Sequence, residues 1–98
     1  MPGYVAILQA ELHFPDAGSL KAKRRHVLAA KAQLQHRFGA SVAEVDHHDL
    51  WQRCSLTVAF AAREAREAEE LAARAEAWLS GQDWELTRSD VLLVAPDD

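Results

Sequence analysis

Apolar and polar residues alternate along "YVAILQAELHF" (residues 4–14), with Ala6, Leu8, Ala10, Leu12 and Phe14 on one side and Gln9, Glu11 and His13 on the other. A period of two with one polar face predicts a half-buried strand, and Pro15, Asp16 and Gly18 end it. The pattern then turns helical. Ser19 is a natural N-cap. Leu20, Val27, Ala30, Leu34 and Phe38 form one stripe, and Gly39 stands where a helix of about five turns would stop. Residues 41–47 and 51–61 read as two strands joined by a turn around His48 and Asp49. In the second of these, Gln52, Cys54, Leu56, Val58 and Phe60 share the more apolar face, while Trp51, Arg53, Ser55 and Thr57 share the other. A second helix spans 63–80, with Ala68, Leu71, Ala75, Trp78 and Leu79 inward. Its outer side offers the i,i+4 pairs Arg63–Glu67, Arg66–Glu70 and Glu70–Arg74. Gly81 ends it, and "WELTRSDVLLVA" supplies a last strand whose apolar phase shifts across Ser89 and Asp90, the mark of a bulge.

The order β-α-β-β-α-β predicts an α+β, ferredoxin-like fold: one four-stranded antiparallel sheet with both helices on one face, in a single domain over 1–98. The first and third strands are then the central pair. The end of the first strand (Glu11, His13) lies beside the start of the third (Trp51, Arg53), and the hairpin brings Glu44 and Asp46 alongside. Arg53 is expected between Glu11 and Glu44, where cross-strand opposite charges help. The segments "SLKAKRR" and "DHHDLWQR" are expected to meet at one end of the molecule.

"ELHFPDAGSLKAKRR" followed by "SVAEVDHHDLWQR" resembles the YlxP-like family of small bacterial domains. The resemblance implies a ferredoxin-like fold and a link to translation or ribosome maturation, and it implies no reaction. Two positions depart from the family pattern. Ala22 stands where a glutamate would complete a capping box with Ser19, so this helix start is more positive, and His48 stands where glutamine is usual. Metal binding through the His47–His48 pair is therefore not implied.

Charge sharpens the picture more than composition does. Nearly half of the 98 residues are apolar, enough for a core. Between Leu20 and Phe38 there are six basic residues and no acid; with +6 there and −4 overall, the rest of the chain carries −10. A concentrated basic helix can meet a polyanion that a uniformly acidic chain would repel. No apolar run approaches the roughly 20 residues of a membrane span, and the start reads as a strand and not a signal peptide. The one cysteine, Cys54, cannot form an internal disulfide and should be buried, which fits a cytoplasmic setting.

Several chemistries compete for the polar residues. His13, Asp46, His47, His48 and Asp49 are capable metal ligands, yet adjacent histidines in a strand point to opposite sides and no ligand spacing stands out. No metal or cofactor is expected. A His–Asp pair lacks an activated nucleophile, so a small metal-dependent hydrolase ranks last. An anion or RNA site is better motivated: Ser19 caps a positive helix end, and Lys21, Lys23, Arg24 and Arg25 follow within two turns. Wheel angles put Lys23 near the buried stripe and Lys21 and Arg25 outward. Internal pairing of these cations with Asp46 and Asp49 is the competing explanation. Base stacking on the sheet face is disfavoured: only Trp51, helped by His13, is placed for it, and the acids Glu11, Glu44 and Asp46 would repel phosphate. His13, Trp51 and Arg53 form the candidate partner surface, and a homodimer through the open sheet face is the alternative to RNA or the ribosome. The expected role is a non-enzymatic binding module.

Overall fold

The computed structural model describes residues 2–96. Its elements follow the expected order: β1 (Tyr4–His13), α1 (Leu20–Phe38), β2 (Ser41–Asp46), β3 (Arg53–Ala62), α2 (Ala65–Ser80) and β4 (Glu85–Val94). The strands form one antiparallel sheet in the order β2-β3-β1-β4. This is the ferredoxin-like arrangement, with β1 and β3 central.

The core lies between the sheet and the two helices. Ala6, Leu8, Ala10 and Leu12 of β1 and Cys54, Leu56, Val58 and Phe60 of β3 meet Val27 and Leu34 of α1 and Ala68, Ala72, Ala75 and Leu79 of α2. Small residues dominate the α2 stripe, which lets that helix sit close to the central strands. Ser19 caps α1 as expected, its Oγ accepting from the Ala22 N–H at 3.0 Å. Gly39 adopts the left-handed conformation (φ 62°) that returns the Gln35 carbonyl to a hydrogen bond. An aromatic group closes one end of the core. Phe14 stacks on His26 at 5.2 Å, Trp84 meets both edge-on, and Trp78 carries the Arg37 guanidinium over its ring.

Four details differ from the sequence reading. β3 begins at Arg53, so Trp51 and Gln52 belong to the loop before it. β2 ends at Asp46, and His47 is already in the turn with φ 64°. The register shift in β4 falls at Thr87, between Leu86 opposite Leu12 and Arg88 opposite Glu11, two residues earlier than the apolar phase suggested. On α2, Arg66–Glu70 forms at 2.9 Å, whereas Arg63 lies ahead of the helix and turns to Glu64.

A second shift, in β2, matters more for function. Glu44 stands opposite Leu56 but Asp46 stands opposite Ser55, so Val45 is an extra residue. One inserted residue reverses the facing of everything beyond it. Glu44, in phase with Val42, points under α1, and the shift turns Asp46 to the open face.

Candidate functional site

The two polar segments do meet. Phe14 N–H donates to the Gln52 carbonyl at 2.8 Å, and Gln52 Nε2 donates to the carbonyls of Pro15 and Ala17 at 3.2 Å each. Lys23 Nζ donates to the carbonyls of His47 at 2.9 Å and His48 at 3.4 Å. The loop 47–52 is thus laced to the β1–α1 connection and to the first turns of α1.

Lys23 is corrected by this geometry. It is 1% exposed, and its ammonium also binds Glu44 Oε2 at 2.7 Å, so all three of its donors are satisfied inside the chain. It is a structural tie and not a contact for an external anion. Its pairing is with Glu44 and not with the Asp46 and Asp49 carboxylates that competed for it. Ser19 likewise spends its hydroxyl oxygen on the helix end, occupying an N–H that an anion would need. Lys21, Arg24 and Arg25 are different. All three are exposed and line one shallow hollow with Leu28 on the outer side of α1. No ion pair or side-chain hydrogen bond among the described residues involves them. Positions 21, 24, 25 and 28 repeat at helical spacing, so they form one stripe.

Below Lys23, the Cys54 thiol is buried as expected. Burial pushes its pKa up from 9.0 to about 12, and the negative charge of Glu44 adds to the shift.

Arg53 does not sit between Glu11 and Glu44. Its neighbour on β1 is His13, Glu11 stands opposite Ser55, and Glu44 has left this face. Ser55 Oγ donates to Glu11 at 3.4 Å, and His47 Nε2 lies 3.8 Å from the same carboxylate. His13 is bonded to Glu85 at 2.5 Å. His48 turns away from His47 and meets the Glu44 carbonyl at 3.1 Å. His13, Asp49, Leu50, Trp51, Gln52 and Arg53 line an open cleft of about 540 Å³. Trp51 is 54% exposed.

The helix-free face divides into a polar half, centred on Gln9, Glu11, Ser55, Thr57, Arg88 and Asp90, and an apolar half. The apolar half places Val5, Ile7, Ala59, Ala61, Leu92 and Val94 on adjoining strands. Simple two-residue alternation does not separate these halves. The signal was present in "YVAI" and "VLLV", where apolar residues occupy both phases of the strand. The β2 shift also had a signal: Val42 and Val45 are three apart, a spacing that no two-residue period accommodates.

Among the described residues no helix is long and apolar enough to cross a membrane. The family model for "Protein of unknown function (DUF503)" matches residues 5–91. The chain is 34% identical over 55 residues to the "Uncharacterized protein YlxP" of Bacillus subtilis (strain 168), a match covering 56% of this chain and 60% of that protein. In three dimensions it is similar to the "De novo designed protein Foldit4", with a TM-score of 0.51, 11% identity and 98% of each chain covered. That likeness concerns the fold alone. The chain belongs to the DUF503 family, and the YlxP-like resemblance read from its two polar segments agrees with this.

Proposed function

We propose that this DUF503 member is a non-enzymatic binding module that holds the phosphate backbone of structured RNA on the outer stripe of α1. A cytoplasmic, ribosome-associated setting belongs to the same reading. The observation that carries it is the contrast within one helix start. Lys23 is consumed internally, whereas Lys21, Arg24 and Arg25 stand in solvent with no acid on α1 to neutralise them. Exposed cations in a row attract a polyanion by releasing its counterions. The test is co-sedimentation with ribosomes and filter binding of ribosomal RNA at low salt. Arg24→Glu combined with Arg25→Glu is expected to weaken retention at least about tenfold, and wild-type affinity is expected to fall with log-log salt slope of about −2 to −3 for three engaged cations. Unchanged retention in the double variant would sink the reading.

A second reading, self-association, is favoured by the outer edge of β4. Edge strands are ordinarily blunted by charge or bulges. Residues 85–90 have Glu85, Arg88, Asp90 and the Thr87 bulge, but Val91, Leu92 and Val94 are 45%, 63% and 38% exposed with no charge among them. An antiparallel copy of this same segment would pair it through an isologous two-fold contact.

A further inference from the structure

The loop that carries Leu50 and Trp51 is tied at several points yet leaves both side chains in solvent. Leu50 N–H closes a turn onto the His47 carbonyl at 3.1 Å, Gln52 is bound through its backbone carbonyl and its side chain, and Lys23 grips the carbonyls of His47 and His48. Between these ties Leu50 is 44% exposed and Trp51 54%. A loop backbone tied in advance gives up little conformational entropy when a partner stacks on the ring it carries.

The surroundings select the partner. Arg53 lines the same cleft, is exposed, and has no ion pair among the described residues. Its freedom follows from the register of β2, which sets Glu44 opposite Leu56 on the helix side, and from the occupation of Glu11 by Ser55 and of Glu85 by His13. Asp49 adds one carboxylate to the rim, an acceptor for the amino or imino edge of a base. The cleft volume of about 540 Å³ suits a small planar ligand. The surround of the ring is mixed: Leu50 adds apolar surface, while Arg53 supplies the charge that a phosphate beside a stacked base would need.

We infer that the cleft takes one unpaired nucleotide of RNA, its base stacked on Trp51 and its phosphate on the Arg53 guanidinium. The inference rests on the RNA reading of α1 and adds the nucleotide class to it: the helix meets paired, structured RNA, and the cleft meets an adjoining unpaired base. Stacking on an aromatic platform tolerates any base, because every base has a π-face.

The experiment titrates the full chain with hexa-adenylate at low salt, reading tryptophan fluorescence and the anisotropy of a labelled oligonucleotide. Binding is expected to quench the exposed Trp51, leaving the emission of the half-buried Trp78 and Trp84. Trp51→Ala should weaken hexa-adenylate binding about 5- to 100-fold, while Trp51→Phe keeps most of it. Arg53→Met should weaken binding and reduce the salt slope by about 0.7. An RNA duplex without unpaired bases should bind wild type and Trp51→Ala alike. Trp51 is exposed and carries no side-chain hydrogen bond among the described residues, so its variants should retain the wild-type melting profile. Hexa-adenylate binding that survives Trp51→Ala overturns the inference. So does loss of self-association in that variant without loss of oligonucleotide binding, which would assign the ring to a protein interface. If the Arg24/Arg25 double variant loses duplex RNA while Trp51→Ala changes nothing, only the nucleotide site fails. If neither variant matters, both readings fail together.

Discussion

Lys23 and Arg25 are two residues apart and have opposite fates, and the reason is angular. Lys23 shares a helical face with Val27, Ala30 and Leu34, the buried stripe of α1, whereas Arg25 is turned about 200° away. A cation on the buried stripe needs a partner, and Glu44 supplies it. Glu44 retains 20% of its side-chain surface, so breaking the pair should cost less than the roughly 3–5 kcal/mol of a fully buried one. Lys23→Met is expected to destabilise the protein by about 2–4 kcal/mol in urea denaturation, since it strands Glu44 and releases two loop carbonyls. Adding Glu44→Met should recover most of the loss, because the apolar pair leaves no charge unmatched. Cys54, beside this pair, makes a separate prediction. Its pKa is raised on folding from 9.0 to about 12, so the native state keeps its thiol proton where the unfolded chain has lost it. Its contribution to stability is complete below pH 9 and declines as the pH climbs from about 9 to about 12. At pH 8 the native thiol should resist a disulfide reagent that labels it at once in denaturant.

At the scale of elements, periodicity carried most of the information. The alternation in β1 and β3 and the stripes on both helices identified the residues that fill the core, because side-chain direction along a strand or helix is fixed by backbone geometry alone. The irregular points were less legible. In β4, the leucines at 86 and 93 demand one phase change somewhere between them, and the sequence does not say where. The bulge sits at Thr87, whose Oγ1 donates to the Glu11 carbonyl at 3.2 Å. In β2 Glu44 keeps the helix-side phase of Val42, the shift at Val45 turns only Asp46 to the open face, and the expected Glu11–Arg53–Glu44 ladder does not form.

At the scale of the molecule, the helices cover one face of the sheet and leave the other to be explained. Its apolar half adjoins the uncharged end of the β4 edge. Self-association there should be visible in sedimentation velocity as a concentration-dependent dimer, and Leu92→Asp with Val94→Asp should weaken it at least about tenfold, since two carboxylates would be buried in each copy. A monomer at every concentration would remove this reading and leave the RNA reading untouched. The candidate RNA surfaces lie elsewhere, on the outer side of α1 and at the rim formed by the loop 47–52. The two readings can therefore be tested one at a time.

The sequence by itself determined the order of elements, the faces they bury, the caps of α1 and the meeting of the two polar segments. These depend on local sterics and on a topology with few alternatives. Only the tertiary structure decided which charges are available. Whether a lysine is free or consumed depends on an acid twenty-one residues away, and on the strand register that sets which face of the sheet that acid occupies. A side chain's electrostatic role follows from what surrounds it in space, and the spacing of residues along the chain constrains that only in part.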